Sequence, residues 1–435
     1  MNPKLRRLEI ATVAVLAALL MQALVWALHV YLFQIRRLGY AFLDVSDITV
    51  YHEFADLLAR GLRPYRDVPF EYPPLAEPLM TLPTRLRALG SYEWVFAGGM
   101  MLFGLVATAF VAATATRLWR GLGRPLLAGA AFAAAVLLLG PIVANRFDIV
   151  VGLVMAVFVY CLARRWWWLA AATLGLGFAL KLTPAMFLPL VFVLAKRLRR
   201  ILLALAAFVL AALAPFVPHL PRGGRGLLHV FQYHAERPVQ IESLFATPYL
   251  LGHWLDGTTV TVSYGYGSQG IAASGATLLA KLSPYLMAAC LSGCYVLVWR
   301  RRQHLRRNTA DLPLVLLAMV LVLVCTSKVL SPQFLVWTIP FLALVTAAAG
   351  KGRKALGLGL LLVLLATHVG FPARYWDLVA LERGPILLIT ARNLGLLAFA
   401  IFAVVQVFRC GRPKKKQARS SESAPADPQR DAASP

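Results

Sequence analysis

Acidic residues are scarce in this 435-residue chain: 19 Asp and Glu stand against 44 Lys and Arg, a formal net charge of +25. In a soluble protein that balance suggests a nucleic-acid partner. The placement of the basic residues excludes it. They fall in short clusters between long apolar segments, the positive-inside pattern of a membrane protein. Cysteine is also scarce. Cys161, Cys290, Cys294, Cys325 and Cys410 lie within apolar segments or at a cytoplasmic end, so no disulfide framework is expected. No CxxC or Cys/His cluster points to a structural metal. A nucleotide-type phosphate-binding Gly loop is missing, as are GxSxG, HExxH and paired metal-ligand patterns. There is no soluble domain to bind a nucleotide, so no cofactor and no metal are expected. No internal repeat is visible, which speaks against a secondary transporter.

What is present is apolar. Hydrophobic residues make up 60% of the chain, against about 45–50% in soluble domains. A membrane-crossing helix needs about 20 mostly apolar residues. Such segments predict an all-α polytopic protein with about twelve transmembrane helices, at about 10–33, 93–116, 126–143, 149–163, 167–180, 183–195, 201–217, 281–299, 312–328, 334–349, 355–371 and 386–408. The fifth and sixth are short and could instead form a re-entrant hairpin. The polytopic domain is taken as 1–408, with two long extracytoplasmic loops at about 34–90 and 218–280 that carry interfacial helices. Residues 409–435 form a basic, then disordered cytoplasmic tail. Both termini are expected in the cytoplasm, and the protein in the plasma membrane.

The chain is organised around Asp44 to Leu75, its most polar early stretch. Val50, Phe54, Leu57 and Leu58 recur at helical spacing within 48–60, which predicts an interfacial helix closed by Gly61 at its C′ position. Asp47 precedes that helix. Its local reading is an N-cap; the other is a general base at the outer membrane face. Glu71, Asp148, Lys181 and Lys328 fall at loops or helix ends on the same predicted side, and ionisable residues at a membrane edge mark functional sites. The second loop adds His234, Arg237 and Glu242 ahead of the aromatic, Gly-rich stretch Tyr264-Gly265-Tyr266-Gly267. That polar run reads either as a solvated loop or as phosphate and sugar recognition, with Arg237 as the fork for phosphate oxygens. Arg374-Tyr375-Trp376 reads first as an interfacial anchor, and otherwise as a further phosphate contact.

At these residues the chain resembles the GT-C superfamily of glycosyltransferases, specifically family 87. The matching pieces are Asp47-Ile48-Thr49-Val50-Tyr51, Leu57 to Gly61 with Pro64-Tyr65, Tyr72-Pro73-Pro74, Asn145-Arg146-Phe147-Asp148, Lys181-Leu182-Thr183-Pro184 with Pro189, and Ser327-Lys328 with Ser331-Pro332-Gln333. The resemblance covers about residues 10–405. It implies a GT-C-like fold and transfer of a hexose, with mannose expected, from a polyprenyl-phosphate donor to a lipid- or glycan-linked hydroxyl. It also implies a catalytic aspartate in the first outside loop, where Asp47 is the matching position and Asp44 its near competitor. Substrate-binding candidates are Asp44, Glu71, Asp148, Lys181, His234, Arg237, Glu242, Lys328, Gln333 and Arg374. The competing readings are a transporter or flippase of lipid-linked sugars and a lipid-oligosaccharide ligase.

Overall fold

Apolar runs become long helices wherever basic clusters or proline-rich turns stop them. The structure, a computed structural model, describes residues 3–34, 46–223 and 226–411. In chain order the α-helices are α1 Pro3–Gln34, α2 Ile48–Ala59, α3 Glu77–Arg85, α4 Tyr92–Leu118, α5 Gly123–Leu139, α6 Asp148–Arg164, α7 Trp167–Leu180, α8 Leu188–Ala195 and α9 Leu198–Leu213. They continue with α10 Leu220–Gly223, α11 Gly226–Glu236, α12 Thr247–Leu255, α13 Ala276–Arg307, α14 Leu312–Thr326, α15 Ile339–Ala347, α16 Lys351–His368, α17 Tyr375–Val379 and α18 Arg383–Arg409.

Among the described residues, eight helices are long and apolar enough to cross a membrane: Leu5–Leu32, Tyr92–Leu118, Gly123–Val143, Leu198–His219, Ala276–Arg307, Thr309–Thr326, Lys351–Ala373 and Arg383–Arg409. Helices also occupy the other four expected positions, but they are shorter. They are α6 and the three apolar helices Trp167–Leu180, Thr183–Ala195 and Pro332–Ala347. Proline explains two of these. Pro184 and Pro332 each open a 3₁₀ segment that leads into the α-helix proper. α14 and α15 are buried nearly all round, as expected of helices apolar on every face. α9 and α13 lie at the outside, their apolar windows only 11% and 17% buried.

Close helix contacts rest on small residues. A β-carbon added at Gly175 of α7 would lie 2.5 Å from the Phe208 carbonyl oxygen and 2.9 Å from Ala211 Cβ on α9. Gly175→Val should therefore push the two helices apart, lowering stability by about 1–3 kcal/mol. A thermal unfolding curve in detergent checks this, and an unchanged Tm contradicts the packing.

In the first loop, α2 runs Ile48–Ala59 and Gly61 takes φ +88° just beyond it, the left-handed closure expected of a C′ glycine. The second loop differs from the expectation of interfacial helices alone. Besides α11 and α12 it holds an antiparallel hairpin, β1 Thr261–Gly265 and β2 Ser268–Ala272. Its two-residue turn is Tyr266-Gly267, at φ +52° and +65°. Two-residue hairpin turns favour such angles because their twist matches the strands. A tyrosine in the left-handed region costs about 1–2 kcal/mol, which is why the segment did not announce itself as a hairpin.

The ends of the bundle differ in charge. At one end, Arg165 Nη2 donates to the Arg306 carbonyl (2.7 Å) and Arg306 to the Val193 carbonyl. Nearby, Asp311 accepts from Arg353 and Asn308 and pairs with His304. α14 leads from this basic end to Lys328 at the other, and α6 leads back from Asp148 to Arg164. The end reached at Asp148 and Lys328 holds a cavity.

Candidate active site

The cavity has a volume of about 350 Å³, within the range of small-molecule sites. Asp47, Glu71, Asp148, Lys181, His234, Arg237, Glu242, Lys328 and Gln333 all line it, although they come from both loops and three helix ends. Asp44 lies outside the described residues. Arg374 does not line the cavity. Its guanidinium is half exposed and pairs with Asp377 at 2.8 Å and with Glu382 at 3.8 Å.

One group of side chains surrounds Asp47. Asp47 holds the N-cap position of α2, but its carboxylate does not cap. Ser46 Oγ accepts the Ile48 N–H instead, at 3.0 Å. This frees the Asp47 carboxylate, whose Oδ1 lies 3.0 Å from Arg146 Nη2. Among the described residues, Oδ2 meets only the Tyr51 hydroxyl, at 3.5 Å. Arg146 is buried, donates to Gln333 Oε1 and stacks 5.1 Å from the centre of the Phe371 ring. Asp148 is buried and clamped: its Oδ1 accepts from Lys181 Nζ (2.7 Å) and Trp337 Nε1 (2.8 Å). Glu71 lies beside Tyr72 and Tyr233 in the cavity wall. Among the described residues, Asp47 thus keeps a weakly engaged oxygen at the cavity wall.

A second group is cationic. Arg237 Nη2 donates to Ser268 Oγ (2.8 Å) and Lys328 Nζ to the Ala235 carbonyl (2.7 Å). No acid within ion-pair distance of either is found among the described residues. Burial, and then the Arg237 charge, hold the Lys328 pKa below its usual value. His234 keeps an exposed edge, yet the crowding protein around it, followed by the Arg237, Lys181 and Lys328 charges, pushes its pKa down to about 4. It is therefore neutral at physiological pH. The Lys181–Asp148 pair joins the two groups.

Glu242 lies beneath them, fully buried. Gln240 Nε2 donates to its Oε2 at 3.0 Å, while Oε1 has no partner among the described residues. The Nε atoms of Arg146 and Arg237 are likewise buried without a partner among the described residues, and orphaned polar atoms gathered at one cavity call for a ligand. Burial raises the Glu242 pKa to about 7, against the opposing charges of Arg392 and Arg146. The folded pKa lies above the ordinary value of 4.5. The resulting stability is present below that lower value and is lost as pH rises through the upper one. Glu242→Gln should flatten the fall in Tm between about pH 5 and about pH 8. An unchanged fall would show that Glu242 ionises as freely folded as unfolded.

Several cavity or supporting residues were not singled out as site residues from the sequence: Arg146, Tyr51, Tyr233, Gln240, Trp337 and Arg392. Arg392 had the clearest signal, an arginine inside the apolar run of α18. It is buried and donates to the Glu242 carbonyl at 3.0 Å. Among the described residues no three His, Cys, Asp or Glu side chains converge as a metal site.

The chain matches glycosyltransferase family 87 over residues 70–332. It is 30% identical, across 72% of this chain and 72% of the relative, to the polyprenol-phosphate-mannose-dependent alpha-(1-2)-phosphatidylinositol mannoside mannosyltransferase of Mycolicibacterium smegmatis. To the protein of the same name from Mycobacterium tuberculosis it is 36% identical, across 35% of this chain and 37% of the relative. Among solved structures it is similar to ArnT from Cupriavidus metallidurans bound to undecaprenyl phosphate. The TM-score is 0.48 and the identity 16%, over 89% of this chain and 77% of that one.

Proposed function

This chain belongs to glycosyltransferase family 87 and is a multi-pass membrane glycosyltransferase; from that premise we propose that it moves mannose from polyprenol-phosphate mannose to a hydroxyl of a glycolipid acceptor, in one inverting step. The observation that carries this reading is the pairing, in one cavity, of an open acid with a cationic group that has spare hydrogen-bonding capacity. Asp47 Oδ2 accepts the proton of the acceptor hydroxyl as that oxygen attacks the anomeric carbon. The bond from that carbon to the phosphate oxygen breaks, and its electron pair leaves with the polyprenyl phosphate. A phosphate leaving group needs no general acid. It needs positive charge as its own negative charge grows, which Arg237, Lys328 and Lys181 supply. A single displacement inverts the anomeric centre, by analogy with inverting glycosidases.

Arg146 holds Asp47 in place, and Asp148 holds Lys181. Glu71 and Glu242 serve sugar hydroxyls. Neutral His234 can both give and take a hydrogen bond. The prenyl chain lies along Ser283, Pro284 and Met287 of α13 and Leu323 and Val324 of α14, the apolar part of the cavity wall. α13 faces outward, so this arm opens to lipid. The basic clusters that meet at the far end support a cytoplasmic placement for that end, and hence an extracytoplasmic cavity. The acceptor is taken to be of the phosphatidylinositol mannoside class, as the relatives' names suggest.

The test is a reconstituted protein supplied in parallel with labelled polyprenyl-phosphate mannose, arabinose and glucose. Transfer from the mannose donor alone is expected. Transfer only from another donor overturns the choice of sugar, and none from any overturns the reading.

A further inference from the structure

The donor site accounts for the interior of the cavity but not for the aromatic hairpin tip at its mouth. Tyr266 and Gly267 line the cavity from β1–β2. The Tyr266 ring packs on Tyr233 with ring centres 5.4 Å apart, and its hydroxyl donates to Glu236 Oε2 at 3.2 Å. Both rings keep open surface. Tyr266 is 39% exposed, and Tyr264, two residues earlier, is 72% exposed. The tip closes tightly on the site: a β-carbon at Gly267 would lie 3.0 Å from the Tyr233 hydroxyl and 4.0 Å from Glu71 Oε1.

Backbone hydrogen bonds tie the hairpin to the site. The Ile271 amide donates to the Val239 carbonyl (2.9 Å), the Ile241 amide to the Gln269 carbonyl (3.0 Å), and the Gln240 amide to the Lys328 carbonyl (2.9 Å). These bonds link β2, through residues 239–241, to Lys328 of the cationic group. A tyrosine is kept at a backbone position where Gly, Asn or Asp sits without strain. Strain of this kind persists where the surrounding structure uses it, commonly at ligand clamps.

A pyranose presents an apolar face of C–H groups and a rim of hydroxyls. An aromatic ring with carboxylates at its edge complements both parts. We infer that the hairpin tip, Tyr266 packed edge-on against Tyr233 with Tyr264 beside them and Glu236 and Glu71 nearby, is the platform for a pyranose ring of the acceptor. The acceptor is therefore recognised as a sugar, beyond the one hydroxyl that reacts. This rests on the reading of the Asp47 cavity as the transfer site. Interfacial tyrosines can instead anchor a loop in the bilayer. Here Tyr266 faces the cavity and bonds an acid, which favours a sugar.

The experiment uses the full chain in lipid nanodiscs, with polyprenyl-phosphate mannose as donor and octyl α-mannoside as acceptor. Tyr266→Asn places a residue that tolerates positive φ at the turn, so the Tm is expected to hold or rise. The acceptor KM should rise roughly tenfold, the loss of one aromatic stack, with the donor KM unchanged. Tyr266→Phe keeps the ring and should keep the acceptor KM within about twofold. Tyr264→Ser should raise it by a smaller factor than Tyr266→Asn. A wild-type acceptor KM in Tyr266→Asn overturns the platform, and a change confined to the donor KM assigns the tip to membrane anchoring instead. If the wild-type protein transfers no sugar, the functional reading itself has failed. If it transfers and the acceptor KM does not move, only the platform has failed.

Discussion

Asp47→Asn should lower the transfer rate about 10²–10⁴-fold, the usual contribution of a positioned general base, with donor affinity nearly unchanged. The substitution is isosteric. The amide oxygen can still accept from Arg146, whose other contacts, Gln333 and Phe371, remain in place. Removing one partner of a fully buried ion pair costs about 3–5 kcal/mol. The Asp47 side chain is 28% exposed, so the cost here is smaller, and the folded protein should survive for assay. A Tm measured alongside the rate separates the two effects. Wild-type rates from Asp47→Asn would sink the base assignment and move attention to Glu71, another acid of the cavity wall.

The second large effect concerns the leaving phosphate. Arg237→Ala and Lys328→Ala should each lower kcat by about 10²–10³-fold, the typical loss on removing one preorganised donor to a developing negative charge. Both should weaken inhibition by the product, polyprenyl phosphate. The two cations lie close enough for Arg237 to depress the Lys328 pKa, and neither has an acid partner among the described residues. Like charges held together without a counter-charge are costly until an anion arrives. A bound phosphate should therefore raise the Lys328 pKa back toward its usual value. Product inhibition constants for wild type and both alanine variants are the readout. Unchanged constants with an unchanged kcat would remove both residues from the phosphate site.

Much of this arrangement was legible in the amino-acid order because its causes are local. Helical spacing within 48–60 and Gly61 after it marked α2 closely. The basic clusters marked helix ends, and in the structure several of those clusters meet. Where long-range contacts decide, the local signals misled. Asp47 looked like a cap, but Ser46 caps, and the role of Asp47 depends on Arg146, about 100 residues away. Arg146 in turn is held by Gln333 and Phe371, later still in the chain. Arg374 sat in a promising aromatic setting, but Asp377 and Glu382, both within one or two turns of chain, engage it away from the cavity. The hairpin was hidden because Tyr266 breaks the local preference of its own turn. Among the described residues, eight helices meet the length for a full crossing, and four expected spans are occupied by shorter helices. Proline explains two of those four.

The anomeric configuration of the product tests the central claim, a single displacement with Asp47 as base, most directly. The newly formed glycosidic bond can be assigned by the one-bond carbon–hydrogen coupling at the anomeric carbon, using ¹³C-mannose in the donor. The account predicts the configuration opposite to that of the donor. Retention would contradict it, because a retained centre requires two displacements and an attacking group on the protein rather than a base.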